Sequence, residues 1–329
     1  MKQLYTKWIP EDKIILVDSN TSELSKLVSN AFLGQRISSI NSITALCEST
    51  NSDVNKLTDT VGSDSRIGKN FLKASMGFGG SCLKKDILSL VYILSSRNLD
   101  LEAQYWANVI IMNEYQRLRV CNLILKCYEK ITEKFNLSSN KKEEEIKIRT
   151  FENLNFKENK NKKLSKENSK RLEEDFKVNV FGLSFKGNTN DSRGANSVFL
   201  VNFLIKKNIK VNLFDPYVKK TDFENELKIY NEDLQEEFIK ENLCFYTELD
   251  YYQHFPNALE NGMINVFCND HKEFKDIEFD SERRNNEYDS DCEDKFIFDL
   301  YDVFCLEKLK ETNYKIYKLG VVNEIENYK

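Results

Sequence analysis

Residues 176–216 read FKVNVFGLSFKGNTNDSRGANSVFLVNFLIKKNIKVNLFDP and alternate between two local patterns. The run FKVNVFGLSF is apolar and rich in β-branched and aromatic residues, which is typical of a buried strand. The run SVFLVNFLIKKN is amphipathic and predicts a helix, and IKVNLFDP predicts a second strand that ends at Pro216. A strand, a helix and a strand in this order indicate a parallel sheet with helical crossovers.

The alternation continues downstream of Pro216. Further strands are predicted at 263–268, 296–301 and 314–320, with a helix at 303–313. We therefore expect residues 176–329 to form an α/β domain with a Rossmann-like, doubly wound and mostly parallel sheet. Open sheets of this kind bind ligands beyond the carboxyl ends of their strands, here near Gly182 to Gly187 and at Asp215-Pro216.

Residues 19–135 predict a helical domain. Apolar residues between Leu24 and Ile43 recur every three or four positions, and Asn20 with Glu23 can form a capping box at the start. Further helices are predicted at 52–61, 84–97 and 101–130. The last is apolar over a broad face and is long enough to be the core of a helical bundle or a dimer seam. Residues 13–18 predict a short strand or an extended link.

Residues 136–175 interrupt these patterns. Lys, Glu, Asn and Ser dominate the segment, and it has no hydrophobic period. It cannot bury enough apolar surface to offset its ordering entropy, so we interpret it as a disordered or partly helical insertion between two domains. A shorter polar stretch at 281–295 has the same character.

Composition excludes several classes of protein. The net charge of −5 over 329 residues does not favour nucleic acid or an anionic membrane as a partner. No apolar stretch is long enough to span a bilayer, and the N-terminus has no apolar signal region. The eight cysteines form no C-x-x-C pair and there are only two histidines, which argues against a zinc site, a Ser-His-Asp triad and any metal. We expect reduced thiols and a cytoplasmic location.

The stretch GFGGSCLKKD, residues 77–86, concentrates three of the chain's 11 glycines beside a cysteine. The glycines allow positive φ angles and a close approach of the backbone to a ligand. Cys82 precedes a predicted helix and lies near Lys84 and Lys85, and this positive potential favours an activated thiolate nucleophile. A glycine turn followed by a buried structural cysteine explains the same letters, and both interpretations remain open on this stretch alone.

Several motifs, in order along the chain, resemble the UDP-glucose 6-dehydrogenases of the UDP-glucose/GDP-mannose dehydrogenase family. They are SELSKLVSNAFLGQRISSINSI (22–43), DSRIGKNFLKAS (64–75), FLKASMGFGGSCLKKD (71–86), YWANVIIMNEYQR (105–117), FGLSFKGNTNDSRGANS (181–197) and FDP (214–216). The resemblance implies a helical central and dimerisation domain followed by a Rossmann-like UDP-binding domain. It also implies NAD-dependent oxidation of UDP-glucose to UDP-glucuronate through a cysteine thiohemiacetal and thioester.

The resemblance assigns four catalytic residues. Cys82 would attack the aldehyde formed in the first oxidation, and Asp86, one helical turn later, would activate water. Lys26 and Asn30 share one helix face and would stabilise an oxyanion. Without the resemblance, that pair would be an ordinary solvated pair on a helix surface.

The resemblance also assigns binding residues. UDP-glucose would contact Arg66, Phe71, Leu72, Lys73, Phe78, Gly79, Phe185 and Lys186. NAD would approach Lys85 and Arg193. Because Arg66 would reach the substrate of a neighbouring subunit, a homodimer or a larger homo-oligomer is implied.

The sequence departs from the family in three places. The family begins with a complete Rossmann domain carrying G-x-G-x-x-G, whereas residues 1–18 match only the end of that domain. The family has a glycine and two arginines after Phe-Asp, one of which contacts the substrate, and this chain has Leu300, Tyr301 and Asp302. The insertion at 136–175 replaces a short linker.

These departures leave three hypotheses. The first is the catalytic C-terminal portion of a UDP-glucose 6-dehydrogenase, incomplete by itself. The second is a non-catalytic dimerisation or regulatory partner. The third is a dehydrogenase of another nucleotide sugar, such as GDP-mannose.

Overall fold

The computed structural model describes residues 2–153, 176–277, 295–305 and 314–321. Its first half is helical, apart from irregular connections and one 3₁₀ turn at Glu11–Lys13. The helices are α1 (Lys2–Tyr5), α2 (Ser19–Ser49), α3 (Val54–Gly62), α4 (Leu83–Ser95) and α5 (Asp100–Asn153). Residues 14–18 form an irregular link rather than a strand. The remainder of the predicted insertion, residues 154–175, lies outside the described residues.

The predicted helices of this half are confirmed, but the one predicted at 101–130 continues to Asn153, into the segment interpreted as an insertion. A second difference lies at the start of α2. Asp18 is the N-cap, and its carboxylate accepts the backbone N–H of Thr21 at 3.0 Å. The predicted cap, Asn20, is already inside the helix. Asp18 is the cap because it directly precedes the first helical residue, and its side chain can reach the free amides of the first turn.

Helices α2, α4 and α5 pack around one apolar cluster. Its buried members are Ala31, Phe78, Ile87, Leu90 and Val109. The hydroxyl of Ser38 on α2 donates to the carbonyl of Val109 on α5 at 2.8 Å, which allows a polar residue at this contact. Phe78 belongs to this cluster, so residues 77–82, which we call the cysteine stretch, are anchored in the helical core and lead directly into α4.

The second half is a six-stranded parallel sheet in the order β3-β2-β1-β4-β5-β6. The strands are β1 (Lys177–Phe181), β2 (Lys210–Asp215), β3 (Leu243–Thr247), β4 (Ile264–Phe267), β5 (Lys295–Asp299) and β6 (Tyr314–Lys318). The helices of this half are α6 (Asn196–Ile205), α7 (Lys220–Tyr230), α8 (Glu236–Asn242), α9 (Leu249–Asn261) and α10 (Lys272–Lys275). The predicted Rossmann-like sheet is confirmed.

This half differs from the sequence pattern in several places, and helices α7 to α10 were not predicted. Strand β3 was not predicted, because LCFYT is short and mixes polar and apolar residues at a sheet edge. Residues 303–305 of the helix predicted at 303–313 are irregular, and 306–313 lie outside the described residues. The polar stretch at 281–295 also lies outside them, except for Lys295 in β5.

A buried polar cluster joins the helical half to the sheet. Glu48 near the end of α2 accepts hydrogen bonds from the Tyr317 hydroxyl and the Gly320 amide, both at 3.0 Å. Arg119 on α5 donates to the other oxygen of Glu48 at 2.9 Å. Because Tyr317 belongs to β6, these bonds hold the carboxyl edge of the sheet against the helices.

The strand order reverses between β1 and β4, at the point where ligands bind in open α/β sheets. The loop after β1 runs from Gly182 to Ala195, and Asn269 and Asp270 follow β4. The loop after β1 lies against Gly79 and Gly80, and Asp270 lies 3.6 Å from Lys73, so the helical half covers this edge of the sheet.

Candidate functional site

Cys82 is exposed and forms the N-cap of α4. Its carbonyl accepts the backbone N–H of Asp86 at 2.9 Å, which begins the helix. The thiol therefore lies at a helix N-terminus, where unsatisfied amides and the helix dipole favour negative charge. This placement supports the nucleophile interpretation, because the alternative required a buried cysteine.

The glycines before Cys82 allow two unusual backbone conformations and one close backbone contact. Gly77 and Gly80 have φ angles of 147° and 83°, which other residues rarely adopt. A Cβ on Gly79 would lie 2.6 Å from the carbonyl oxygen of Gly194, in the loop after β1. The glycines thus let the cysteine stretch pass directly against the sheet loop, which fixes the thiol beside the ligand-binding edge.

Asp86 is only 4% exposed and lies beside both residues of the predicted pair on α2. The Asn30 amide donates to its Oδ2 at 2.5 Å, and the Lys26 ammonium is 3.9 Å from the same oxygen. Lys85 contacts the other oxygen at 3.0 Å. The structure therefore brings Lys26, Asn30 and Asp86 together, one helical turn from Cys82.

The carboxyl of Asp86 stays ionised despite its burial. Burial raises its pKa, but hydrogen bonds from Lys85 and Asn30 and the charges of Lys85 and Lys26 together outweigh this, so the pKa lies below its usual range. In return, the hydrogen bond to Asp86 raises the pKa of Lys85. The site thus holds an ionised carboxylate between two cations.

The two lysines after Cys82 diverge. Lys85 joins Asp86, whereas the Lys84 ammonium contacts Glu114 on α5 at 3.0 Å. An open pocket of about 690 Å³ runs along the outer face of α4 beside them. It is lined by Gly80, Ser81, Lys84, Lys85, Leu88, Ser89, Tyr92 and Ile93. The thiol stretch therefore borders a cavity with both cationic and apolar walls.

The sheet supplies the opposite wall. Phe185 packs against Gly80, where a Cβ would lie 3.1 Å from the ring. Lys186 extends over the Phe185 ring, with its ammonium 5.4 Å from the ring centre. Lys73 reaches across from the segment before the cysteine stretch, and its ammonium is 3.6 Å from the carboxylate of Asp270. Three predicted substrate-binding residues thus meet at the switch point between β1 and β4.

Arg193 lies on the same side as Cys82. Its guanidinium donates to Asp191 at 2.9 and 2.8 Å. The hydrogen bond to Asp191 raises the pKa of Arg193. The neighbouring Gly194 lies against Gly79 and Gly80, so the loop that carries Arg193 runs beside the cysteine stretch. Arg193 and Lys85 are both exposed, and together they flank the thiol with positive charge.

The remaining predicted residues occupy different environments. Arg66 is exposed and pairs with Asp64 at 2.5 Å. Phe71 is exposed and has a positive φ of 61°, a strained conformation of the kind that clusters at functional sites. Leu72 and Phe78 are buried, so they lie behind the surface that a ligand would meet.

Three residues that hold the cysteine stretch were not predicted from the sequence. Asn113 accepts the amide of Phe78 at 2.8 Å. Arg117 donates to the carbonyl of Phe78 at 2.6 Å, and Asn196 donates to the carbonyl of Gly77 at 2.6 Å. A signal for two of them was present, because Asn113 and Arg117 are polar residues four apart on a helix that is apolar over a broad face.

The structure gives the environment of the three residues at 300–302 that differ from the family pattern. Leu300 is buried, and the Tyr301 hydroxyl contacts the Asn196 amide. Asp302 forms an ion pair with Lys318 at 2.5 Å, and Lys318 also lies 3.5 Å from Asp299. The acid that replaces a family arginine is thus neutralised by a lysine from β6.

Among the described residues, no helix is long and apolar enough to cross a membrane.

Residues 20–115 match the central domain of the UDP-glucose/GDP-mannose dehydrogenase family, and residues 179–305 match its UDP binding domain. The chain is 39% identical over 225 residues to a UDP-glucose 6-dehydrogenase of Caenorhabditis elegans. The aligned region covers 68% of this chain and 38% of the Caenorhabditis elegans protein. It is 31% identical over 322 residues to UDP-glucose 6-dehydrogenase 4 of Arabidopsis thaliana, which covers 97% of this chain and 58% of the relative.

Two solved structures share the fold. A UDP-D-ManNAc dehydrogenase from Pyrococcus horikoshii superposes with a TM-score of 0.59 at 20% sequence identity. The matched region covers 97% of this chain and 56% of the Pyrococcus horikoshii chain. A UDP-glucose dehydrogenase from Pyrobaculum islandicum has a TM-score of 0.56 and 20% identity, covering 91% and 51%. The chain therefore spans little more than half the length of these proteins.

Proposed function

The chain belongs to the UDP-glucose/GDP-mannose dehydrogenase family, and from this premise we propose that it provides the catalytic-cysteine and UDP-binding portion of a UDP-glucose 6-dehydrogenase. The observation that carries the proposal is the exposed Cys82 at the start of α4, one turn from the buried Asp86 that contacts Lys26 and Asn30. Such a cluster fits covalent oxidation of an aldehyde.

Cys82 supplies the nucleophile. Its thiolate adds to the carbon of the C6 aldehyde, so that a C–S bond forms and the carbonyl oxygen takes the negative charge as a thiohemiacetal. Oxidation of that carbon leaves a thioester on sulfur. Water then attacks the thioester carbon, the C–S bond breaks and the thiolate returns, releasing the C6 carboxylate. The covalent bond keeps the intermediate in the site between the two oxidations.

Lys26 and Asn30 stabilise the charge that develops on the C6 oxygen. They supply a cation and an amide donor from one face of α2, which are the groups suited to an oxyanion. In the structure both contact Asp86, whose carboxylate holds them at the site. Asp86 is ionised, because the low pKa of its carboxyl keeps it unprotonated at neutral pH, and its oxygens can accept hydrogen bonds from the attacking water.

The switch-point crevice receives the nucleotide part of the substrate. Lys73 and Lys186 are exposed cations near this edge, and the Lys186 ammonium lies over the aromatic ring of Phe185. A diphosphate suits the two lysines, and displacement of Asp270 would free Lys73 for it. The uridine end then lies over the sheet, and the glucose end extends toward Cys82.

NAD is the cofactor of the proposal, and the residues present fit its anionic phosphates, since Lys85 and Arg193 are exposed cations beside the thiol. When bound, NAD accepts the hydride in each oxidation. The sequence contains no G-x-G-x-x-G. Lys85 and Arg193 therefore act as edge contacts to the dinucleotide, next to the thiol.

A homodimer or larger homo-oligomer in the cytoplasm completes the proposal. Its support is a set of exposed apolar side chains on α2 and α5, which we call the α2/α5 face. It consists of Phe32, Tyr105, Ile111, Tyr115 and Leu118. An apolar surface of this kind in a helical domain is typical of a subunit contact.

Alkylation of Cys82 tests the site. Iodoacetamide is added with and without UDP-glucose, and modification of each cysteine is followed by mass spectrometry. Saturating UDP-glucose should slow modification of Cys82 by about tenfold, as expected from simple occupancy of the site. Cys305 is a second exposed thiol in the same chain and should be unaffected, which makes it an internal control.

The other hypotheses correspond to other outcomes. Selective protection of Cys82 by GDP-mannose would replace the UDP-glucose assignment. An absence of protection by either nucleotide sugar would overturn the proposed site. In the assembled enzyme, a Cys82→Ser variant that forms UDP-glucuronate at the wild-type rate would identify the chain as a non-catalytic partner.

A further inference from the structure

The amide of Asn196 is buried and lies at the centre of a hydrogen-bond network. Its Nδ2 donates to the carbonyl of Gly77 at 2.6 Å, and its Oδ1 accepts from Arg117 Nε at 2.8 Å. Arg117 also donates to the carbonyl of the next residue, Phe78, at 2.6 Å. Two consecutive carbonyls of the cysteine stretch are therefore held by one amide and one guanidinium. The side-chain orientation of Asn196 is fixed by its partners.

Tyr301 completes this network from the sheet. The second hydrogen of Asn196 Nδ2 is donated to the Tyr301 hydroxyl oxygen, just beyond the carboxyl end of β5. An amide nitrogen needs two acceptors, and a buried donor left without one costs free energy. The Gly77 carbonyl accepts one hydrogen of the Asn196 amide, and the Tyr301 hydroxyl accepts the other.

The chemistry of the position excludes a cation. Burial raises the pKa of Tyr301 well above its usual range, so the hydroxyl stays protonated and neutral. Its oxygen can accept a hydrogen bond, whereas an arginine at position 301 would present only donors to the donor of Asn196. A guanidinium there would also face that of Arg117, which contacts the same Asn196. Tyr301 and Asn196 are therefore a matched pair.

We infer that Tyr301 is a positioning residue that holds the Gly77–Cys82 stretch through Asn196, in place of a direct charged contact with the substrate. The inference rests on the proposed function for its consequence, which is the placement of Cys82 against UDP-glucose. It assigns the end of β5 a role in ordering the thiol, through two hydrogen bonds that lead from Tyr301 by way of Asn196 to Gly77 in the stretch before Cys82.

Tyr301→Phe tests the hydrogen-bonded path from Tyr301 through Asn196 to Gly77, which we call the relay. Tyr317→Phe is the matched control. Tyr317 is a buried tyrosine whose hydroxyl also makes one side-chain hydrogen bond, to Glu48, away from the cysteine stretch. Amide hydrogen exchange within residues 77–82 should accelerate by roughly tenfold in Tyr301→Phe, because local opening of that stretch becomes easier. Tyr317→Phe should leave exchange at 77–82 unchanged after correction for global stability.

Two further measurements separate positioning from general stability. The UDP-glucose concentration that half-protects Cys82 from iodoacetamide should rise by roughly fivefold in Tyr301→Phe and stay constant in Tyr317→Phe. In an Asn196→Ala background, Tyr301→Phe should add no further change to the exchange at 77–82, because the relay is already broken.

The outcomes distinguish the two levels of the proposal. Equal exchange at 77–82 in Tyr301→Phe and Tyr317→Phe, or fully additive effects of Tyr301→Phe and Asn196→Ala, would overturn the relay. The exchange measurement needs no ligand, so it decides the relay even if UDP-glucose fails to protect wild-type Cys82. That failure would count against the proposed function alone.

Discussion

Asp86 is a buried carboxylate whose charge is held by donors from two helices, Asn30 and Lys26 on α2 and Lys85 on α4. Asp86→Asn should lower the free energy of unfolding at pH 7 by about 1–3 kcal/mol, the usual range for losing charge-assisted hydrogen bonds. The amide keeps the size of the side chain, so packing stays constant. Urea unfolding at pH 7 measures the change.

The pH dependence of this loss has a fixed sign. The pKa of Asp86 is depressed in the folded chain, so its stabilising contribution is present above the unfolded pKa of about 4 and disappears as pH falls through the folded pKa. The difference between wild type and Asp86→Asn should therefore narrow below about pH 4. Asp59→Asn, which breaks the exposed pair with Lys69, is the control and should have little effect at any pH. A gap that widens in acid would contradict the argument.

Sequence spacing predicted part of this site. Cys82 and Asp86, and likewise Lys26 and Asn30, are four residues apart, so each pair was expected on one face of a helix. That Lys26 and Asn30 contact Asp86 depends on how α2 packs against α4, which spacing does not encode. Arg117 and Asn196 meet across 79 positions of sequence, and such a contact carries no local signal.

The start of α2 shows how an element boundary is decided by one side chain. Asp18→Ala should lower the unfolding midpoint, because the Thr21 amide loses its acceptor. Asn20→Ala should leave the midpoint unchanged, because Asn20 is within the helix and no cap bond depends on it. Thermal unfolding followed by circular dichroism measures both. A larger loss in Asn20→Ala would restore the capping box that the sequence suggested.

Helices and strands were predictable where an apolar repeat or an apolar run extended over several residues. Helices α2, α4 and α5 and strands β1, β2, β4, β5 and β6 followed from periodicity or apolar runs. Strand β3 did not, because its residues gain their stability only by pairing with β2 at the edge of the sheet. The strand order is likewise set by the sheet as a whole, although parallel pairing itself followed from the alternation of strands and helices.

At the scale of the whole molecule, Glu48 couples the two halves. Glu48→Gln keeps an acceptor for Tyr317 and Gly320 but removes the charge opposite Arg119, and should lower the free energy of unfolding by about 1–3 kcal/mol. Glu224→Gln, which breaks the surface pair with Lys220 on α7, should stay within about 0.5 kcal/mol of wild type.

The same variant tests whether the halves unfold together. Both tryptophans, Trp8 and Trp106, lie in the helical half, so their fluorescence reports on that half alone, whereas circular dichroism reports on the whole chain. In wild type the two urea transitions should coincide, as for one cooperative unit. In Glu48→Gln they should separate. Coincident transitions in the variant would show that the Glu48 cluster does not carry the coupling.

The α2/α5 face gives the last prediction, at the scale of the assembly. Ile111 lies in this face and is 62% exposed on α5. In a homodimer it would be buried against a second copy, where an unpaired carboxylate is strongly unfavourable. Ile111→Glu should therefore shift the chain from dimer to monomer by at least about tenfold in dissociation constant, the effect of losing about 1.4 kcal/mol or more. Sedimentation velocity measures the change.

Ile229→Glu is the matched control for this substitution. Ile229 is an isoleucine of similar exposure, 69%, on α7 in the sheet half, so it receives the same charge at a position outside the α2/α5 face. It should leave the sedimentation coefficient unchanged, because no subunit contact is assigned to α7. If both variants dissociate alike, added charge rather than the face is responsible. If Ile111→Glu stays dimeric, the subunits meet elsewhere, and Arg66 would then have to approach a neighbouring site from a different surface.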